Sequence, residues 1–317
     1  MKMKRLVALT VSLVFAALML FACANGDDAD NNYTAANNPF LTMDEILEHA
    51  QLLVPAYITI RDQQFSTELT ELELAGMDLT DEDIAPLQYM INLTNLNLFA
   101  NEISDLTPLA GLTNLTHLDL GFNQIHDLTP LSELAELMSL GLFSAEVSDL
   151  TPLAGLTNLT VANLIGNEIT DITPLSGLTN LTHLWLNGNE ITDLEPLSRL
   201  TNLVMLGLRG TGISDLAPLS GLTGLEQLDL GINEISDLTP LTGLTNLKSL
   251  FLQFNEITDV TPLSELINLT ELDLRNNEIT DITPLSGLTN LARTTLSLVN
   301  NPISDFSPLA DLPLVPR

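Results

Sequence analysis

The chain has a single cysteine, Cys23, in 317 residues, so no disulfide within the chain can hold the fold. Basic residues are scarce as well: 10 Lys and Arg stand against 41 Asp and Glu, a formal net charge of −31. That balance repels nucleic acid and anionic lipid alike and excludes both as partners of the folded part. Aromatic residues make up only 4%, so any cluster of them calls for a reason. Signature motifs are missing too. There is no Gly-x-Ser-x-Gly, no His-Glu-x-x-His and no phosphate loop, which removes the common serine-hydrolase, zinc-protease and nucleotide-binding classes. The sequence therefore predicts no catalytic residues, no metal and no cofactor.

What the chain does have is repetition. A leucine recurs every 22 residues at Leu93, Leu115, Leu137, Leu159, Leu181, Leu203, Leu225, Leu247, Leu269 and Leu291. The unit beginning at Leu181 shows the logic. Leu184 and Leu186 alternate with Trp185, which predicts a short strand with its leucines inward and Trp185 outward. Asn189 then ends the strand, and its amide can bond backbone groups of its own and neighbouring coils. The same asparagine returns as Asn101, Asn123, Asn167, Asn233, Asn255, Asn277 and Asn301, while Ala145 and Thr211 interrupt the series. Past it come Ile191, Leu194 and Glu195-Pro196-Leu197; in most units the residue before the proline is Thr, expected as an N-cap. A glycine in Gly-Leu-Thr-Asn is expected to close the turn. With so few residues for the return path, one turn of 3-10 helix fits better than an α-helix. One coil cannot cover its own leucines, so neighbours must stack.

The unit Asn-x-Ile-x-Asp-Leu-x-Pro-Leu-x-x-Leu-x-x-Leu resembles the internalin type of leucine-rich repeat, from about Leu69 to Leu314. The resemblance implies an α/β, β-dominated fold: a right-handed leucine-rich repeat solenoid with a parallel concave sheet, 3-10 turns on the convex side and a helical N-terminal cap. It also implies recognition of another molecule, usually a protein, without catalysis. Eleven repeats, mostly of 22 residues, are expected over 69–314, with the first and last units each two residues longer. Such irregular ends fit capping coils.

Ahead of the repeats, Lys2, Lys4 and Arg5 precede an apolar run from Leu6 to Phe21. Residues 1–22 are expected to be a lipoprotein signal peptide. Leu20-Phe21-Ala22-Cys23 resembles a bacterial lipobox, which makes Cys23 the candidate lipidation site and an N-terminal lipid anchor the expected membrane contact. An uncleaved transmembrane anchor is the alternative, since the run is nearly long enough to span. Either places the protein outside the cytoplasm, membrane-anchored at the bacterial cell surface or periplasmic face. Residues 23–40 are expected to be a flexible tether. Residues 41–68 are assigned to the N-terminal cap, with Thr42-Met43-Asp44-Glu45 as a capping box opening an amphipathic helix to about Leu53. Only Val315-Pro316-Arg317 follow Leu314, so no C-terminal cap domain is visible in the sequence, and either the chain is cut short or the irregular last coil is expected to suffice as a cap.

An aspartate also repeats, as Asp105, Asp127, Asp149, Asp171, Asp193, Asp215, Asp237, Asp259, Asp281 and Asp305. Ten identical copies suit a loop residue bonding nearby backbone N–H groups better than a metal ladder. His117 and His183 lie three coils apart, about 15 Å at the spacing of paired strands, too far to share a metal. The Asn-Leu-Thr triplets at Asn92, Asn114, Asn158, Asn180 and Asn268 are expected to be a by-product of the repeat. The informative positions are those the repeat leaves free. On the concave face the candidate partner-binding residues are Phe99, His117, Phe122, Phe143, His183, Trp185, Arg209, Phe251, Phe254 and Arg275. Exposed aromatics and arginines are the composition of binding hot spots. They predict a monomeric protein that binds a protein ligand; aromatic platforms also stack on sugar rings, so a carbohydrate or envelope polymer is the alternative ligand.

Overall fold

The computed structural model describes residues 54–292 and 294–313. Cys23, the tether and the helix expected up to Leu53 lie outside them. Of the cap, the described part is a hairpin, β1 (Tyr57–Ile60) against β2 (Gln63–Ser66), paired antiparallel with Ile60 opposite Gln63. Ile58 and Ile60 are buried and join the core of the repeats. The sequence reading missed this hairpin because its two-residue loop, Arg61-Asp62, lacks the usual glycine; Arg61 itself takes the left-handed conformation at φ 51°.

The repeats form one parallel sheet of eleven strands in sequential order. These are β3 (Glu71–Glu73), β4 (Asn95–Asn97), β5 (His117–Asp119), β6 (Ser139–Gly141), β7 (Val161–Asn163), β8 (His183–Trp185), β9 (Met205–Gly207), β10 (Gln227–Asp229), β11 (Ser249–Phe251), β12 (Glu271–Asp273) and β13 (Leu296–Ser297). Register follows the repeat, with Leu184 beside Leu206. At the ends, Leu72 pairs with Leu96 and Leu272 with Leu296, which is where the two extra residues at each end are accommodated. In the first coil the extra residues make a short helix, α1 (Asp81–Ile84), with a capping box between Thr80 and Asp83.

Each regular coil points seven aliphatic side chains inward. In the coil of β8 these are Leu181, Leu184, Leu186, Ile191, Leu194, Leu197 and Leu200, all at most 2% exposed. Burial of one such side chain stabilises by about 1.5–3 kcal/mol, which only stacking makes available. The strand side chains between them, His183 and Trp185, are half-buried on the open face.

The return path is a 3-10 turn in each regular coil, for example Glu195–Leu197, with proline in its first positions. Its cap differs from the expectation. The N-cap residue is the leucine, isoleucine or valine before the Thr, and the capping oxygen comes from the repeated aspartate: Asp105 Oδ1 accepts the Thr107 N–H at 2.8 Å. The same bond recurs where Thr is replaced, from the N–H of Glu195 to Asp193 and of Ala217 to Asp215. The backbone N–H is therefore what the aspartate serves. These bonds hold the carboxyls of Asp127, Asp149 and Asp171 below the usual aspartate range, first through the Thr hydroxyl and then through its N–H. Repulsion from Asp127 and Asp171 acts on Asp149 but is outweighed. The glycine expected to close the turn is not conformationally required: a Cβ on Gly111 or Gly155 would meet nothing within 4 Å.

Candidate partner-binding face

The boundary of the face is set by the asparagines. Asn123 Nδ2 donates to Leu98 O at 3.0 Å and Leu120 O at 2.9 Å, and Asn123 Oδ1 accepts the Ile103 N–H at 3.0 Å. Leu98 O also accepts from Asn101, so each carbonyl joins two coils. Asn167, Asn189, Asn233, Asn255, Asn277 and Asn301 repeat the pattern. The interruptions are repaired differently. At Ala145 the Ile125 N–H turns to the backbone oxygen of Ala145 at 2.8 Å, and the next residue, Glu146, becomes left-handed at φ 62°. At Thr211 the hydroxyl donates to Leu208 O at 2.8 Å, and Gly212 follows at φ 80°.

A second asparagine ladder, which the sequence reading passed over as a by-product of the repeat, runs on the opposite edge of the sheet. Asn114 Nδ2 reaches Ile91 O at 2.9 Å, Asn158 reaches Ala135 O, and Asn180 reaches Thr157 O. Beside it the hydroxyls of Thr116, Thr160 and Thr182 donate to the coil before. An open groove of about 570 Å³ follows this edge, lined by Thr116, Met138, Asn158, Thr160, Asn180 and Asn202 among others.

Against this frame, the ten candidates fall into three settings. His117, His183, Trp185 and Phe251 stand on the strands themselves. Each histidine Nδ1 lies 2.9 Å from the hydroxyl of the preceding threonine. Trp185 lies beside Asn163 and Gly207 in register, with the His183 ring tilted over it at 5.8 Å. Phe99, Phe143, Arg209 and Arg275 come two residues beyond the strands. Arg275 is not a free cation, because its guanidinium is doubly bonded to Asp273, Nη2 to Oδ2 at 2.6 Å and Nε to Oδ1 at 2.9 Å.

Phe122 and Phe254 are not on the strands, contrary to the sequence reading. They occupy the residue before the ladder asparagine, where every repeat turns left-handed: Phe122 at φ 53°, Ile232 at 56° and Phe254 at 57°. Gly166, Gly188 and Gly210 fill the same slot in sister coils. A left-handed residue with a side chain costs about 1–2 kcal/mol relative to glycine. The Phe122 ring recovers part of this by packing edge-on against Phe99 at 5.3 Å and Phe143 at 4.7 Å. Gly121 makes room for that stack; a Cβ there would stand 2.9 Å from the Phe99 ring. From Phe99 to Arg275 the candidates span eight strand spacings, roughly 40 Å, so they form a surface with separate stations.

Two residues on the C-terminal half, Gln253 and Asp229, were not among the candidates. Gln253 is 4% exposed and its Oε1 has no hydrogen-bond partner. It lies with Arg209 over Gly231, where a Cβ would stand 2.5 Å from Gln253 Nε2. Asp229 accepts the Gly231 N–H at 3.0 Å. Burial pushes its carboxyl above the usual range, against the opposing pull of that N–H and of Arg209, and Asp273 adds to the rise. Nothing in the repeat pattern marks Gln253, because room for it comes from Gly231 in the neighbouring coil. Among the described residues no group of three or more His, Cys, Asp or Glu side chains is placed to hold a metal ion, and no helix is long and apolar enough to cross a membrane.

The arrangement has known counterparts. The profile of the family Leucine Rich repeats (2 copies) matches residues 91–133, 157–199, 201–243 and 245–290, more than half of the chain. An internalin of Listeria monocytogenes, InlF, is 36% identical over 79% of this chain and 74% of its own, with a TM-score of 0.74. The chain belongs to the internalin-type leucine-rich repeat family. Internalin InlC2 of the same organism is 39% identical over 60% of this chain and 85% of its own, TM-score 0.57. A leucine-rich repeat protein of Leptospira interrogans is 28% identical over 72% of this chain and 61% of its own, TM-score 0.67. No curated protein matches. For this internalin-type chain, the ladders and capped turns are the shared frame, and the outward columns are where it differs from coil to coil.

Proposed function

We propose that the chain is a non-enzymatic recognition protein, anchored outside the cytoplasm through Cys23, that binds a protein partner through the concave sheet. The observation that carries the reading is Trp185. Its slot is held by Asn97, Asp119, Gly141, Asn163, Gly207, Asp229, Phe251 and Asp273 in sister coils, so the fold needs no indole there, yet the chain's single tryptophan stands half-buried on the open face. Large aromatic side chains with a dry body and a polar tip are the usual anchors of interfaces.

The test is capture of binding proteins from envelope and host-cell extracts on the immobilised full chain, followed by Trp185→Ala. The substitution should weaken the captured partner by about 2 kcal/mol or more while the thermal midpoint stays within about 2 °C. Unaltered affinity would move the site off the centre of the sheet. Anchoring is tested separately: Cys23→Ala should abolish palmitate incorporation and release the chain from membranes. A second reading, a carbohydrate or envelope-polymer ligand, is favoured by the groove of hydroxyl and amide groups between Thr116 and Asn202. A glycan array carrying wild type and Trp185→Ala separates the two.

A further inference from the structure

The left-handed slot before the ladder asparagine holds large apolar side chains at only three described positions, and one of the three is accounted for by packing. Phe122 is wedged between Phe99 and Phe143. Ile232 and Phe254 have no such explanation. They sit at the same slot of adjacent coils, joined through the Ile232 N–H to Gln253 O at 2.8 Å and the Asn233 N–H to Phe254 O at 3.2 Å. Ile232 is 46% and Phe254 50% exposed, neither belongs to the buried core, and no ring of the described residues stacks on Phe254. A β-branched residue is among the worst occupants of a left-handed position, while glycine or asparagine fills it elsewhere, as in Gly188, Gly210, Asn276 and Asn300. The two side chains thus sit on left-handed backbone and leave about half of their surface wet, as Phe122 does at 47%, but without its ring partners among the described residues.

The chemistry of what covers them is given by the next column. Glu234, Glu256 and Glu278, one residue past the ladder asparagine or two past the slot, are exposed and form no ion pair among the described residues. Beyond them lie Asp237 and Asp259, engaged only with their own turns. On the sheet side, Arg275, whose backbone oxygen accepts the Phe254 N–H, is neutralised by Asp273, and Arg209, beside Gly231, acts on the Asp229 carboxylate. The edge is therefore an apolar pair walled by uncompensated carboxylates on a chain of net charge −31. We propose that Ile232 and Phe254 anchor a docking edge for a protein surface that presents an apolar patch flanked by lysine or arginine. This rests on the reading of the chain as a protein binder and assigns the partner's chemistry and a second station at the lip of the sheet.

The experiment uses the full chain and two fluorescein-labelled amphipathic helical peptides with the same leucine and phenylalanine face, one flanked by lysines and the other by glutamates. Anisotropy should show binding of the lysine peptide only, weakening at least tenfold from 50 to 300 mM salt. The double variant Ile232→Asn with Phe254→Asn, using the residue that sister coils tolerate, should lose at least tenfold in affinity with a thermal midpoint equal to or above wild type. Ile232→Gly with Phe254→Gly serves as a second variant of the same slot, with the same expectation. Glu234→Gln with Glu256→Gln should weaken binding and flatten the salt dependence. Equal binding of the lysine peptide by wild type and the Asn or Gly variants would reduce the edge to unspecific charge and overturn the proposal, as would a fall in thermal midpoint in both variants, which would make the pair structural. Trp185→Ala run in parallel on the captured partner keeps the two questions apart: loss there with full binding by the slot variants rejects the lip and retains the concave face.

Discussion

Two neighbouring residues in every turn make an instructive pair. The ladder asparagine faces inward, and its amide bonds two carbonyls and an N–H from its own and the preceding coil, so eight coils carry the same side chain. The residue before it has a backbone just as fixed, always left-handed, but its side chain faces out and no bond repeated from coil to coil dictates its identity, although Asn300 bonds Asn276 and Phe122 packs on its neighbours. It is glycine, alanine, serine, asparagine, isoleucine or phenylalanine. Identity along the chain thus marks side chains used up by the fold, and departure from the cheapest residue marks side chains free for something else.

The largest effect that could break this contrast is on the inward side. Asn189→Ala removes the bonds to Leu164 O, Leu186 O and the Ile169 N–H and should lower unfolding free energy in urea by about 1–3 kcal/mol. A loss below about 0.5 kcal/mol would show that the coils repair a missing asparagine, as the carbonyl of Ala145 does for Ile125. Next comes the outward side. Gly188→Phe should cost about 1–2 kcal/mol through backbone conformation alone, since a Cβ there meets only Gly166 at 3.7 Å. Phe122→Gly should come out near neutral, because relief of the same strain offsets two edge-on ring contacts of about 0.5–1.5 kcal/mol each. Equal behaviour of the two sites would mean that the slot carries no strain.

The smallest effect per site is the titration of the turns. The carboxyls of Asp127, Asp149, Asp171, Asp237, Asp259, Asp281 and Asp305 are held below their ordinary value. A depressed aspartate lends stability that is present above its unfolded value near 3.8 and is lost as pH falls through the folded value. The thermal midpoint followed by circular dichroism should therefore drop below about pH 4. Asp229 has the opposite sign: its raised carboxyl favours the fold below the ordinary aspartate range, and the benefit is lost as pH rises. Asp229→Asn should be neutral or stabilising at pH 7, with the advantage shrinking as pH falls.

The sheet, the core leucines and the register were legible because each follows from a period of 22 and an alternation of 2. The role of the repeated aspartate was legible as a loop bond, although the Thr was mistaken for the cap; Glu195 and Ala217 in the Thr position were the available clue. The hairpin at Tyr57 to Ser66 was not legible, since it occurs once and its turn lacks a glycine. Nor was the second asparagine ladder: its residues look like part of a surface triplet until stacking brings Ile91 O to Asn114.

Sequence alone determined that coils must stack, which side chains they bury and which columns they leave free, because those properties are periodic and local. Tertiary structure decided what each free side chain has available to it. Whether Phe122 has ring partners while Phe254 has none, and whether Gln253 is buried, depend on residues of the adjacent coils, whereas Arg275 is tied within its own coil to Asp273. The distance that matters there is the spacing between coils, which no single unit contains.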